Sequence, residues 1–149
     1  MEPAIVSDAS CLIGLSNIGK LEILSKLYSK VIIPPAVERE FGERISFAEI
    51  ITPSDKDLVR SLSLFLGAGE SEAIALAIEL NVAIILDDKK ARTVAEGMGL
   101  NSIGTVGILL RAKHEQLIQS FTKTLDELEQ NGFYVSAGVR EQAIKLAGE

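Results

Sequence analysis

Cysteine and histidine are almost missing from this chain of 149 residues, which has one of each, Cys11 and His114. A single cysteine excludes an intramolecular disulfide and fits a reducing compartment, so a cytoplasmic protein is expected. One cysteine and one histidine cannot close a structural zinc site either. Cys11 stands beside Leu12 and Ile13 and reads as a small buried hydrophobe; His114 reads as a surface residue near a helix end. Long apolar runs are also lacking. Val82 to Leu86 is far too short to cross a bilayer, and the opening MEPAIVSD has neither the basic start nor the apolar stretch of a signal peptide. No membrane partner is therefore expected. Low-complexity segments, internal repeats and linkers are absent, so residues 1–149 read as a single domain. Finally, positive charge is not in excess. The formal net charge is −6, which argues against a general nucleic-acid coat protein. It leaves room for a nuclease, whose carboxylates are offset by bound cations.

What is present is ordinary for a globular domain: 47% apolar and 24% charged residues. The apolar residues come in short β-branched runs alternating with helical patterns. Strands are predicted at Ala4–Val6, Val31–Ile33, Glu49–Thr52, Val82–Leu86 and Asn101–Gly104, with a further small one at Phe133–Val135. Helices are predicted from Leu12 to Ile18 with Ser10 as cap, over Leu21–Tyr28, and after Pro35 as far as Gly42. Others run from a Ser54 cap through Phe65, from Glu70 to Leu80 after a Gly67-Ala68-Gly69 turn, and from Lys89 to Met98. The rest cover Thr105–Lys113, Leu117–Gln130 (as one helix or two broken near Ser120) and Gly138–Leu146. Alternation of this kind predicts an α/β domain around a mostly parallel sheet.

The most informative stretch is VAIILDDKKAR, Val82 to Arg92. A buried strand stops at two adjacent carboxylates, Asp87 and Asp88. In open α/β sheets the C-terminal strand edge is where ligands bind, and neighbouring aspartates repel unless a cation stabilises them. Other acids should reach the same edge. Asp8 follows the first strand, Glu38 and Glu40 lie on the helix after the second, and Glu70 and Glu72 open the helix that runs down to the Val82 strand. Each has an ordinary alternative. Asp8 can cap a helix, Glu38 reads as a surface residue, and Glu70 or Glu72 can merely favour a helix N-terminus. The Asp87-Asp88 pair has the weakest ordinary explanation, since a cap needs only one Asp. Carboxylates gathered in this way suit Mg²⁺ or Mn²⁺. Such ions bind phosphate oxygens, lower the pKa of a bound water and stabilise a leaving oxyanion, which implies phosphodiester hydrolysis. Lys89, Lys90 and Arg92 can hold the substrate backbone. They can equally form an exposed helix face, with Arg92 and Glu96 at i,i+4 spacing. No phosphate loop is present, because no Gly-Lys-Ser/Thr follows Gly69.

Several motifs carry a family resemblance over nearly the whole chain. VSDAS, IPPAVEREF, GAGESEAIALA, LDDKKAR and GTVGILLRAK, in this order and spacing, resemble the PIN domain, a family of acid-dependent nucleases. The glycine–glutamate helix start is similar to a prokaryotic branch that includes the toxin nucleases of VapBC-type toxin–antitoxin pairs. The resemblance implies a three-layer α/β/α sandwich and Mg²⁺- or Mn²⁺-dependent RNA cleavage, frequently by a homodimer, with an antitoxin protein as a partner. It implicates Asp8 through VSDAS and Glu40 through the Pro–x–Val–x–x–Glu pattern. The third acid falls on Glu70 or Glu72. Where the family pattern reads Thr–x–Asp, this strand ends Leu86-Asp87-Asp88; ungapped matching selects Asp88, while Asp87 is nearer the strand. The expected catalytic set is Asp8, Glu40, Glu72, Asp87 and Asp88, with Glu70 added among the metal ligands.

Two other function classes fit parts of the pattern. One is a catalytically degenerate relative that binds RNA or a protein partner. The other is a phosphoryl-transfer or receiver-type domain, which also gathers acids around Mg²⁺ but needs a later Lys that has no clear place here.

Overall fold

Five short strands, all parallel, form the centre of the computed structural model, which describes residues 2–149. In chain order the elements are β1 (Glu2–Ser7), α1 (Ala9–Asn17), α2 (Ile23–Leu27), β2 (Tyr28–Ile33), α3 (Pro35–Phe41), β3 (Ala48–Ile50), α4 (Lys56–Leu62) and α5 (Ala68–Leu80). They continue with β4 (Ala83–Ile85), α6 (Lys89–Gly97), β5 (Ser102–Ile103), α7 (Thr105–His114), α8 (Phe121–Gln130) and α9 (Ala137–Leu146). The strand order is β3-β2-β1-β4-β5. The chain thus winds outward from β1 in one direction and then returns to wind in the other. This reversal is the topological switch point of an open α/β sheet, and it lies between β1 and β4. Register there pairs Ile5 with Ala83, Val6 with Ile84 and Ser7 with Ile85.

The apolar runs form strands because they are buried from both sides. Ile5, Val6, Ile33, Ile84, Ile85 and Leu86 are fully buried, each stabilising the fold by about 1.5–3 kcal/mol relative to exposure. Helices flank the sheet. The alanine-rich α5 packs against α3 and α4, and α7 packs against α2, α8 and α9. No helix among the described residues is long and apolar enough to cross a membrane.

Several local expectations are corrected. The cap of α1 is Asp8, not Ser10, and it accepts from the Cys11 N–H at 3.0 Å. The predicted Leu21–Tyr28 helix shortens to α2, because Tyr28 joins the sheet opposite Glu2. Asp55, not Ser54, caps α4, which ends at Leu62 in a pair of tight turns that leave Leu64 and Phe65 exposed. Gly67-Ala68-Gly69 is not a free turn: Gly67 is the cap and the other two residues are already helical. Between His114 and Phe121 the chain is not helical, and α8 starts only after a Ser120 cap. Phe133–Val135 forms no strand; the Phe133 N–H instead closes the end of α8 on the Leu128 carbonyl.

Candidate functional site

Asp8 and Asp87 stand at the ends of β1 and β4, side by side at the switch point. The Asp8 N–H donates to the Ile85 carbonyl at 3.1 Å, which extends the ladder by one rung. The Asp8 carboxylate then takes two backbone donors, the Cys11 N–H on Oδ1 and the Asp87 N–H on Oδ2, both at 3.0 Å. Only 4% of Asp8 is exposed. Burial, followed by the charge of Asp87, pushes its pKa up from 3.8 to about 7, although the two backbone bonds pull the other way. Desolvation therefore outweighs hydrogen bonding at this carboxyl.

Asp87 is held from across the edge. Its Oδ1 accepts from the Thr105 N–H at 2.7 Å, and its Oδ2 accepts from the Thr105 hydroxyl at 2.6 Å. Gly104 occupies the cap position of α7 without a side chain, so Asp87 supplies the missing capping oxygen from another strand. Gly104 is also needed for space. A Cβ there would lie 3.2 Å from Asp87 Oδ1 and 3.3 Å from Arg92 Nη1. Asp88 is exposed and caps α6 through the Ala91 N–H at 2.9 Å.

Glu70 and Glu40 complete the cluster from the other side. A pocket of about 250 Å³ is lined by Asp8, Ser10, Glu40, Gly67, Gly69 and Glu70. Gly69 faces α3, where a Cβ would lie 3.4 Å from Glu40 Oε1 and 3.5 Å from Val37 Cγ2, in ordinary contact. Glu70 reaches back toward the Gly67 N–H at 3.4 Å. Its pKa is raised by partial burial, then by the charge of Asp88, with a smaller contribution from Glu40. Asp8, Asp87, Asp88, Glu70 and Glu40 thus form one electrostatically linked group.

The structure does not bring every candidate here. The Glu72 carboxylate accepts the Ala36 N–H at 3.1 Å. Pro34 and Pro35 at the start of α3 offer no capping oxygen, so Glu72 caps that helix from α5. It is not among the residues lining the pocket with Asp8, whereas Glu70 is. Glu38 is half-buried in the first turn of α3 and also lies outside that lining. Lys89 and Arg92 line a second groove, which begins at Asp87; Lys90 is exposed and lies outside it. Among the described residues none of these three cations makes a salt bridge. The expected Arg92 partner, Glu96, instead accepts the Ser102 hydroxyl at 2.6 Å.

Thr105 was not singled out from the sequence. Its only local signal is its place after Gly104 at a helix start, and its role depends on two strands being neighbours. Cys11 is fully buried. Burial and the charges of Asp8 and Asp87 push its thiol well above the ordinary range, so it stays protonated.

Asp8, Glu70, Asp87 and Asp88 sit at or near a helix N-terminus, where backbone N–H groups and the helix dipole favour anions, whereas Glu40 lies in the last turn of α3. No side-chain cation joins them. Among the described residues, Asp8, Glu40, Glu70, Asp87 and Asp88 take part in no salt bridge, and no three His, Cys, Asp or Glu side chains form a ready-made metal cage. A magnesium-type ion keeps several waters and needs only one or two direct carboxylates. The open pocket and the carboxylates of Asp8, Glu40 and Glu70, held by backbone N–H groups or free of salt bridges among the described residues, suit an ion of that kind.

An acidic, cation-free pocket at the switch point of a parallel sheet defines a class: α/β domains with a carboxylate centre. The comparison with known families is more specific. A family model described as a PIN domain, DUF3368, matches residues 4–149, and the chain belongs to that family. PIN domains are typically metal-dependent nucleases. No curated protein matches the chain.

Proposed function

We propose that this protein is a Mg²⁺- or Mn²⁺-dependent ribonuclease that hydrolyses phosphodiester bonds at the carboxylate edge. The reading is carried by one observation: Asp8, Glu40 and Glu70 line one pocket with no cationic side chain in its lining, and the charges of Asp87 and Asp88 bear on Asp8 and Glu70 from its rim. Asp8, Glu40 and Glu70, with Asp87 and Asp88 beside them, would hold the ion. When bound, such an ion supplies an activated water and charge stabilisation for the leaving oxygen. The protein's own contribution is positioning. Asp8 is fixed by the Cys11 and Asp87 N–H groups, and Asp87 is clamped by Thr105. Lys89 and Arg92 hold the substrate backbone beside Asp87. Glu72 keeps α3 in place, and with it Glu40. A toxin role, an antitoxin partner and a homodimeric state are the setting that the glycine–glutamate helix start suggests.

The test is cleavage of single-stranded RNA with Mg²⁺ or Mn²⁺, against a chelator control, by wild type and Asp8→Asn. Cleavage that the chelator abolishes and that falls at least a hundredfold in the variant supports the reading. Equal cleavage by the two proteins overturns the site assignment.

A second reading draws on the lack of a ready-made three-residue metal group. The chain would then be a degenerate module that binds RNA or a protein without cutting. A calorimetric Mn²⁺ titration separates the two, because only the nuclease requires affinity at millimolar metal.

A further inference from the structure

The carboxylate pocket leaves unexplained a larger groove on the far side of Asp87. This groove has a volume of about 590 Å³, within the range of pockets that enclose small ligands. It starts at Asp87, passes Lys89 and Arg92 on α6, and continues between α7 and the segment leading into α9. Val106 and Val139 contribute to its apolar lining, and Tyr134 stands on its wall. Tyr134 is 76% exposed, and Val139 and Leu146 are also largely exposed. Three features thus line one groove: an acid of the candidate centre, two cations that make no salt bridge among the described residues, and an aromatic ring beside apolar side chains.

We propose that this groove is a nucleobase subsite for single-stranded RNA. Lys89 and Arg92 would hold a phosphate next to the scissile one, and Tyr134 would stack on the base that follows. The inference rests on the nuclease reading for the identity of its ligand. The physical argument is complementarity. A single strand carries both phosphates and flat apolar bases, and this one groove offers cations for the first and an exposed ring for the second. Base–aromatic stacking needs no sequence-specific hydrogen bonds. The cations bear on the choice of ligand, because Asp87 brings one negative charge to the groove against the two positive charges of Lys89 and Arg92, and a purely apolar peptide would leave the excess without a partner.

The experiment measures affinity without catalysis. Fluorescence anisotropy of a labelled single-stranded oligoribonucleotide of mixed sequence is followed in chelator, with the full chain as wild type, Tyr134→Ala, Tyr134→Phe and Val139→Glu. Tyr134→Ala should weaken binding about tenfold while Tyr134→Phe retains it; Val139→Glu should weaken it by like-charge repulsion. Ultraviolet cross-linking should attach the RNA within residues 133–136. Wild-type affinity in Tyr134→Ala, or no binding by the wild type, overturns the subsite. Unchanged RNA affinity with self-association lost in Tyr134→Ala also overturns it, and assigns the groove to a protein contact. If Tyr134-dependent binding occurs but no metal restores cleavage, the subsite stands and the nuclease reading fails.

Discussion

The two ends of the parallel sheet treat their acids in opposite ways. At the N-terminal end, Glu2 on β1 meets Arg111 at 3.5 Å, and the same guanidinium donates to the Tyr28 hydroxyl at 3.3 Å and lies 5.9 Å from the ring centroid. The charges there are paired and largely exposed. At the C-terminal end, Asp8 is buried with no cation, and its pKa rises to about 7. Backbone N–H groups, helix N-termini and the Thr105 hydroxyl stabilise the acids of this edge. Fold geometry explains why the backbone donors gather there. A helix that follows a parallel strand starts at the strand's C-terminal end, so the N-termini of α1, α3, α6 and α7 share one edge, and α5 descends from it toward β4. The dipoles offset part of the negative charge but not all of it. An edge with such a residue of uncompensated charge costs stability, and it is also the edge where a divalent ion would gain the most.

The largest expected effect tests that cost. In metal-free protein the Asp8 carboxyl has a folded pKa raised above its unfolded value. The folded state therefore binds the proton more tightly. Its contribution is favourable at low pH, erodes as pH rises above about 4, and is lost by about pH 7. The shift from 3.8 to about 7 corresponds to about 4 kcal/mol over that window. Urea unfolding between pH 4 and pH 8 in chelator should show the decline, and Asp8→Asn should flatten it. A wild-type curve no steeper than the variant's would remove the contrast between the two ends.

Metal should then reverse the deficit. With Mn²⁺ at a hundred times its Kd, stability at pH 7 should rise by about 2.7 kcal/mol. Asp87→Asn should shrink that gain, as a shift in Tm would show, while Arg111→Ala leaves it unchanged. Glu70 and Glu72 sharpen the comparison within α5. Glu70→Gln should lower Mn²⁺ affinity with little loss of stability. Glu72→Ala should do the reverse, losing the α3 cap for about 1 kcal/mol while leaving Mn²⁺ affinity intact in a calorimetric titration. The smallest effect belongs to the opposite end. Arg111→Ala should cost no more than about 1 kcal/mol, as exposed ion pairs do, and the cost should diminish in high salt.

Much of this architecture was legible before the coordinates. The β-branched runs ending at Asp8 and at Asp87-Asp88 were readable because both strands are buried on two faces and need apolar residues without a break. Parallel topology alone predicts that Asp8, Glu38, Glu40, Glu70, Glu72 and the Asp87-Asp88 pair approach one edge, and of these Glu38 and Glu72 lie outside the pocket that Asp8, Glu40 and Glu70 line. Local chemistry was less legible. Asp8 displaced Ser10 as the cap of α1 because the last residue of a strand ladder is already held in extended geometry. Phe133–Val135 has strand-like composition, but it follows α8 directly and the Phe133 N–H is taken by the Leu128 carbonyl at the end of that helix.

The division between Glu70 and Glu72 marks where sequence reasoning stops. Both acids stand in the same first turns of a helix, and propensity and dipole arguments treat them alike. Helical geometry separates them by roughly 200° around the axis, so only the neighbours of α5 decide that one meets Asp8 and the other caps α3. Thr105 is the same case. The sequence by itself determined the α/β alternation, the strand ends and the residue types placed there, because burial and periodicity act along the chain. The tertiary structure decided which oxygen each N–H would find. Those partners lie 79 residues apart for Asp8 and Asp87, 18 for Asp87 and Thr105, and 36 for Ala36 and Glu72, and hydrogen bonding depends on distance in space.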